Sequence, residues 1–348
     1  HTAFGGVTDF ASGIGDLVTA GADVIVDDVI YFAEPMFEDG PIAQAADAAF
    51  AAGVPYFSSA GNSSKNSYES LFSVSGRLGP TGFNTHDFDP GAGVDDQQQI
   101  TVPIGAGFTM SFQWDDPYGG ADTDLDMWIV AANGSTLIAV GGAPNIGGDP
   151  VEVFSFNNFG GFDFDGTPGP DTTFNILIEH IDGPMPEIIK FAYSGSGVTI
   201  DESDTESGTS YGHANAAGAA AVGAAPYFDT PAFGQNPPLP EGFTARANVP
   251  ILFNTSGTRL PEPVFRPKPE FTGPDGGNTT FFGSDIGTDA DSFPNFFGTS
   301  ASAPHVAAGA ALLLEIDPTL TPSEIYSIIA DSTIDMLTPG FDIDTGRG

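Results

Sequence analysis

A serine beside a run of small residues is the feature of the sequence with the clearest chemical meaning. Ser300 lies in the string GTSASAPHVAAG, which extends from Gly298 to Gly309. Pro304 is typical of the first turn of a helix, so the string predicts a helix from about Ala303. A serine just before a helix has its oxygen near unpaired backbone N–H groups and the positive end of the helix dipole. Because these groups stabilise a developing oxyanion, Ser300 is a candidate nucleophile, although a serine that only caps a helix gives a similar pattern.

A side-chain amide follows a predicted buried strand in the first part of the chain. The residues from Val54 to Ser58 predict that strand, and the string SSAGN then ends at Asn62. An amide at this end of a strand can donate a hydrogen bond to the oxyanion of a tetrahedral intermediate. Asn is also common in turns for conformational reasons alone, so the functional interpretation depends on the helix and strand that precede Asn62.

Both strings resemble motifs of one enzyme family. GTSASAPHVAAG resembles the nucleophile motif of the subtilisin-like serine proteases, the subtilase family, and SSAGN is similar to the segment that holds their oxyanion-hole Asn. The resemblance implies an α/β fold with a subtilisin-like, doubly wound and mainly parallel sheet. It also implies a serine endopeptidase that hydrolyses polypeptides by a Ser-His-Asp mechanism, with Ser300 as the nucleophile and Asn62 as the oxyanion donor. No cofactor is required for that chemistry, and calcium is a candidate structural ion.

The base that such a serine needs is not evident from the sequence. Histidines stand at positions 1, 86, 180, 213 and 305, and none has the His-Gly-Thr setting that the family uses. In subtilases the catalytic Asp and His precede the oxyanion Asn, and His1 resembles a point just after the usual His helix. We therefore expect an N-terminal truncation, and we expect the 348 residues alone to be inactive or nearly so. The alternative is that His1 or His213 has taken over the role of the base.

An acidic pair occupies a segment that resembles the substrate-binding strand of the family. The segment runs from Asp23 to Ile30, and Asp27 and Asp28 replace residues that are usually neutral. Acidic side chains at this place could favour basic substrate side chains by charge pairing. They could equally hold a metal ion or be solvated, so the sequence leaves their role open.

Alternating helices and strands surround these motifs. Helical spacing predicts helices at about Asp9–Ala20 and Pro41–Gly53, and short apolar runs predict strands at Asp23–Val26 and Val54–Ser58. This alternation is typical of a parallel sheet whose ligands bind beyond the carboxyl ends of the strands. A last helix is expected near Pro322, where Thr321 and Glu324 form a capping box.

The middle of the chain has a different pattern. From about Leu71 to Ile200 it consists of short alternating runs broken by Gly, Pro, Asp and Asn, which predicts an all-β antiparallel sandwich. The region resembles the pre-peptidase C-terminal type of β-sandwich. We predict that this domain, residues 71–204, is inserted between two segments of the subtilisin-like domain, residues 1–70 and 205–348.

Two sets of side chains in the inserted region could have a function of their own. Asp122, Asp124 and Asp126 share one face of an extended strand and could bind calcium, or they could form a solvated acidic edge. Four aromatic residues could form a binding surface, but in sandwiches such residues are more often part of the core, which is the interpretation we favour. They are Phe112, Trp114, Trp128 and Phe154.

The charge balance limits the partners of the protein. Eight Lys and Arg stand against 46 Asp and Glu, a formal net charge of −38, which argues against nucleic acid and anionic lipid as partners. The sequence has no cysteine and no apolar run of about 18 residues that could be inserted in a membrane. The acidity and the family resemblance together predict an extracellular or cell-surface location.

Two other functions fit the same sequence. One is a noncatalytic surface or adhesion protein, in which a degenerate subtilase scaffold displays a calcium- or ligand-binding β-sandwich. The other is an acidic calcium-binding extracellular structural protein, for which the match around Ser300 would be accidental.

Overall fold

The structure is a computed structural model that describes residues 4–164 and 169–348. The chain forms two compact units. The first contains His1–Lys65, Gly208–Ile251 and Glu262–Gly348, and the second contains Asn66–Ser207 and Leu252–Pro261. The candidate residues Asn62 and Ser300 both belong to the first unit.

The elements of the first part of the chain, in order, are α1 (Val7–Ala20), β1 (Ile25–Asp27), α2 (Pro41–Ala51), β2 (Tyr56–Ser59), β3 (Ser67–Leu71), β4 (Val74–Leu78), β5 (Asn84–His86), β6 (Gln98–Thr101), β7 (Gly107–Trp114), β8 (Asp124–Ala131), β9 (Leu137–Gly141), β10 (Val151–Asn157), β11 (Thr173–Asp182), β12 (Ile188–Gly195) and β13 (Thr199–Ile200). The later elements are β14 (Ala219–Pro226), β15 (Ile251–Phe253), β16 (Arg259–Val264), β17 (Phe271–Asp275), β18 (Gly277–Asn278), β19 (Asn295–Phe296), α3 (Thr299–Ile316) and α4 (Pro322–Ser332). Short 3₁₀ helices occur at Gly212–Asn215, Tyr227–Asp229 and Pro231–Phe233.

A four-stranded sheet is the centre of the first unit. Its order is β1-β2-β14-β17, and each neighbouring pair is parallel. Adjacent residues of a strand point to opposite faces, and the two faces of this sheet meet different helices. Tyr56 and Ala219 pack with α1 and α2, whereas Phe57 and Ala220 pack with α3 and α4. The unit is therefore a mixed α/β structure with helices on both sides of a parallel sheet.

Helix α3 lies close to the sheet because its inward side chains are small. Ala303, Ala307 and Ala310 are buried against Phe57 and Phe271 of the strands. Large side chains at these positions would hold the helix axis further away, since protein interiors have no spare volume. This close packing brings the first turn of α3 to the carboxyl ends of the strands.

The ends of the helices agree with several sequence predictions. Gly21 ends α1 in the left-handed conformation, with φ of 87°, and Pro41 is in the first turn of α2. Thr321 and Glu324 form the predicted capping box of α4. None of the helices in the described ranges is long and apolar enough to cross a membrane.

The start of α3 differs from its prediction. The helix begins at Thr299 rather than near Ala303, so Ser300 is its second residue and Pro304 lies inside it. Pro304 lacks the N–H that would donate to the carbonyl of Ser300, which normally disfavours this position. The packing of the small side chains against the sheet offsets that loss. The prediction placed Pro304 in the first turn because the sequence does not show this packing.

The second unit consists mainly of antiparallel strands. One sheet has the order β10-β7-β12-β3, and another has the order β13-β6-β11-β5-β4, with β8 pairing with β11 and β9. Every pair in these two sheets is antiparallel. One hydrophobic core contains side chains from both sheets; among its members are Met110, Phe112, Trp114, Met127, Ile129, Ile176 and Phe191.

The aromatic residues of the second unit are mostly structural. Phe112 and Trp114 are completely buried in its core, as expected. Phe154 is partly buried and packs against the same core, and Trp128 is also partly buried.

Candidate active site

Asn62 and Ser300 meet at the carboxyl end of the parallel sheet. Asn62 follows β2, and its Oδ1 accepts hydrogen bonds from the backbone N–H of Thr299 at 3.0 Å and from the Thr299 hydroxyl at 2.9 Å. The N–H of Gly61 in turn donates to Thr299 Oγ1 at 3.2 Å. These bonds fix the plane of the Asn62 amide beside the first turn of α3. Ser300, one of the first four residues of that helix, has a backbone N–H without an intrahelical acceptor.

Gly298 allows the first turn of α3 to lie close to Asn62. Its φ is 132°, in the region that L side chains rarely adopt, and a Cβ at this position would lie 3.3 Å from Nδ2 of Asn62. Its N–H donates to Oδ2 of Asp275 at 2.7 Å, at the end of β17. Burial raises the pKa of Asp275 to about 6, although the bond from Gly298 opposes that shift. A buried carboxylate therefore holds the turn that precedes Ser300.

Replacing Gly298 by alanine is expected to damage both stability and the site. The unfavourable φ should lower the free energy of unfolding by about 1–3 kcal/mol. The matched control is Gly309→Ala in α3, where an added Cβ meets no atom within 4 Å. That change should raise stability by about 0.4–1 kcal/mol, because alanine restricts the unfolded chain. Urea unfolding of both variants tests this, and equal effects of the two substitutions would contradict it.

The buried side chain of His213 lies between the carboxylates of Asp27, in β1, and Glu34. Nε2 of His213 is 3.0 Å from Oδ1 of Asp27, and Nδ1 is 2.7 Å from Oε1 of Glu34. The backbone N–H of His213 also donates to Oε2 of Glu34 at 2.8 Å. The side chains of His213, Asp27 and Glu34 are only 3%, 5% and 3% exposed. We call these three residues the His213 network.

The charge of the imidazole follows from this setting. Burial alone favours the neutral form, but the carboxylates of Glu34 and Asp27 outweigh it and raise the pKa of His213 well above its ordinary value. A cationic imidazole donates from both nitrogens. With both nitrogens engaged by carboxylates, His213 has none left to accept a proton from Ser300, which argues against it as the base.

The other histidines offer no clear base either. Nδ1 of His305 donates to the carbonyl of Ala301 in its own helix, at 2.7 Å. His86 and His180 belong to the second unit, and His1 lies outside the described residues.

The acidic residue after Asp27 has a different environment. The pKa of Asp28 is raised by burial and, secondly, by the charge of Asp27, and the side chain of Ser300 lowers it. Asp28 follows directly after β1, and α3 packs against that strand. The acidic pair is thus divided: Asp27 is buried in the His213 network, and Asp28 is exposed.

The acidic residues of the second unit lie in and beside β8. Asp124 and Asp126 are in the strand and Asp122 precedes it. Burial raises the pKa of Asp126 to about 6 and that of nearby Glu152 to about 7. Within residues 4–164 and 169–348 no group of three or more His, Asp or Glu is arranged to hold a metal ion. The structure therefore assigns no calcium ligands.

Comparison with known proteins supports a relationship through the nucleophile segment. Residues 268–348 match the Subtilase family. The matched segment contains Ser300 and is less than half of the chain. The match supports a subtilase-like relationship. No match was found among curated protein sequences.

Solved structures show where a similar fold occurs. The CspB protease of Clostridium perfringens is similar with a TM-score of 0.52 and 13% identity, covering 98% of this chain and 68% of that one. The S41 psychrophilic protease gives a TM-score of 0.39 and 14% identity, covering 98% and 62%. At 13% identity, the CspB structure shows similarity of fold alone.

The sequence predicted Asn62 and Ser300 as site residues, but it did not predict the residues that contact them. Asp275 gave no signal, because nothing distinguishes it from the many other acidic residues of the sequence. The pair Asp27 and Asp28 did stand out, as a departure from the family pattern, but nothing in the sequence showed that Asp27 would pair with His213.

Proposed function

We propose that this protein is a serine endopeptidase in which Ser300 attacks the peptide carbonyl and Asn62 helps to hold the oxyanion. The observation that carries the proposal is the bond pair from Thr299 to Asn62 Oδ1, which fixes the amide beside the first turn of α3. With Oδ1 occupied, Nδ2 is the part of the amide that can donate to a substrate. The backbone N–H of Ser300 is a second donor.

The arrangement supports acyl transfer from a polypeptide. As the hydroxyl oxygen of Ser300 bonds to the carbonyl carbon, negative charge develops on the carbonyl oxygen. Two preorganised N–H groups stabilise that charge more in the transition state than in the bound substrate, which is the requirement for faster turnover. The subtilase match of residues 268–348 and the protease fold of the CspB structure favour a peptide over other acyl compounds. An extracellular or cell-surface location, suggested by the acidity, belongs to the same proposal.

Cleavage of an unfolded polypeptide such as casein tests the proposal. The wild-type protein should release internal fragments, and Ser300→Ala should release none while keeping the same thermal unfolding profile. The matched control is Ser302→Ala in the same helix, whose side chain is buried. Cleavage that persists in Ser300→Ala would contradict the proposal.

A further inference from the structure

A cavity with aromatic and acidic walls lies beside the strand that leads to Ser300. Its volume is about 510 Å³, and its lining includes three aromatic and two acidic residues, which are Tyr227, Phe228, Phe233, Asp289 and Asp291. This size is within the range of pockets that bind small ligands, about 300–1,000 Å³. All the lining residues belong to the first unit, which also contains the candidate active site.

The three aromatic residues form one connected wall of the cavity. The ring centroid of Tyr227 is 5.3 Å from that of Phe228 and 5.2 Å from that of Phe233, and both pairs are edge-to-face. Phe233 is 61% exposed, so a ligand can reach this wall from solvent. The face of an aromatic ring carries partial negative charge and attracts a cation. The wall therefore favours a ligand that combines an aliphatic chain with a positive charge.

The two carboxylates of the cavity have no cationic partner. Oδ2 of Asp289 accepts hydrogen bonds from the hydroxyl of Tyr227 at 3.0 Å and from Nδ2 of Asn295 at 3.1 Å. Its buried Oδ1 receives no hydrogen bond from any residue that the structure describes. Asp291 accepts from Nδ2 of Asn278 at 2.6 Å, and none of the ion pairs in the described part of the chain involves either acid. A buried acceptor without a partner is unfavourable, so a cation that enters the cavity would offset this cost.

Backbone pairing connects the cavity to the candidate nucleophile. Gly277 of β18 lines the cavity and pairs with Phe296 of β19, and the chain reaches Ser300 four residues after Phe296. Paired strands lie about 5 Å apart and four residues span at most about 14 Å, so Ser300 is within about 20 Å of this wall. An extended peptide covers that distance with about six residues.

We propose that this cavity binds a basic side chain, Lys or Arg, of the polypeptide substrate. The inference rests on the proposed function and adds a substrate preference to it, for a basic residue within about six positions of the cleaved bond. The methylene groups of the side chain pack on the aromatic wall, and its charge lies beside the carboxylates of Asp289 and Asp291.

Peptide binding to the Ser300→Ala protein tests the inference without cleavage. Two blocked, alanine-rich peptides that differ only in one central residue, Lys or norleucine, are compared by calorimetry. The Lys peptide should bind about tenfold more tightly, because the carboxylates and the aromatic wall both favour its charge. Adding Asp291→Asn or Phe233→Ala should each reduce this preference by about threefold. Thermal unfolding of each variant excludes loss of structure as the cause.

A matched control separates the cavity from the general negative charge of the protein, which is −38 and attracts any basic peptide. Asp285→Asn removes an exposed acid of the same loop that does not line the cavity, and it should leave the preference unchanged. If Asp285→Asn lowers the preference as much as Asp291→Asn does, the general charge attracts the peptide and the inference is overturned. A Lys peptide that binds no more tightly than the norleucine peptide also overturns it.

The cleavage sites in casein separate this inference from the proposed function. The wild-type protein should show Lys or Arg enriched at one fixed position within about six residues of the cleaved bonds, and Asp291→Asn should reduce the enrichment. Cleavage that depends on Ser300 but shows no such enrichment overturns the inference and leaves the proposed function in place. If Ser300→Ala cleaves as the wild type does, the proposed function fails, and the cavity is then not a subsite for a substrate of Ser300.

Discussion

Asn62→Ala is expected to lower kcat for a peptide substrate by about 10²–10³-fold, with KM nearly unchanged, because the lost hydrogen bond acts mainly in the transition state. The Nδ2 group donates to the oxyanion in the proposed mechanism, while Oδ1 only fixes the amide through Thr299. Steady-state kinetics on a chromogenic peptide measure the effect.

A second substitution separates these two roles of Asn62. Asn62→Asp keeps an oxygen that can accept from Thr299 but removes the donor and adds a negative charge. It should therefore be at least as inactive as Asn62→Ala, while its thermal stability is closer to that of the wild type. A variant Asn62→Asp with normal kcat would show that the amide does not donate to the oxyanion.

His213→Leu is expected to produce the largest loss of stability, about 3–5 kcal/mol of unfolding free energy near pH 6. The substitution leaves the buried carboxylates of Asp27 and Glu34 without the cation between them. His305→Leu is the matched control, since His305 is exposed and its loss should cost less than about 1 kcal/mol. Urea unfolding of both variants measures the difference, and equal costs would contradict a charged His213 network.

The same network makes the stability of the wild type depend on pH. The pKa of His213 is raised in the folded protein, so the folded state binds the proton more tightly than the unfolded state. The stabilisation is complete below the unfolded value of about 6.5 and is lost as the pH rises towards the folded value. The slope in that window should reach about 1.4 kcal/mol per pH unit in the wild type and be absent in His213→Leu. If the stability of the wild type falls no more steeply above pH 6.5 than that of His213→Leu, the histidine is not cationic in the folded protein.

Local sequence signals were sufficient for the scaffold around the site. The helices α1 and α2 and the strand β2 follow from spacing, Gly and Pro, and the position of Asn62 after β2 follows with them. Such signals are local, because a cap or an apolar period involves residues a few positions apart. The strand β1 was predicted at Asp23–Val26, whereas in the structure it begins at Ile25 and ends at Asp27.

The parts of the site that involve long-range contacts were not accessible from the sequence. Glu34 and His213 are 179 residues apart and pair only because the 3₁₀ helix Gly212–Asn215 returns to the sheet. The bonds from Thr299 to Asn62 likewise join residues that are 237 positions apart. The acidic pair looked equivalent in the sequence, yet Asp27 ends β1 with its side chain buried beside His213, whereas Asp28 lies after the strand and is exposed.

Reaction of the folded protein with a fluorophosphonate probe, followed by mass spectrometry of the modified peptide, tests whether Ser300 is an activated nucleophile. We expect a single adduct on Ser300, formed in the wild type and missing in Ser300→Ala, because only an activated serine reacts readily with such a probe. An adduct elsewhere, or none on a protein that is shown to be folded, would contradict the role of Ser300 as the nucleophile and favour a noncatalytic subtilase-like scaffold.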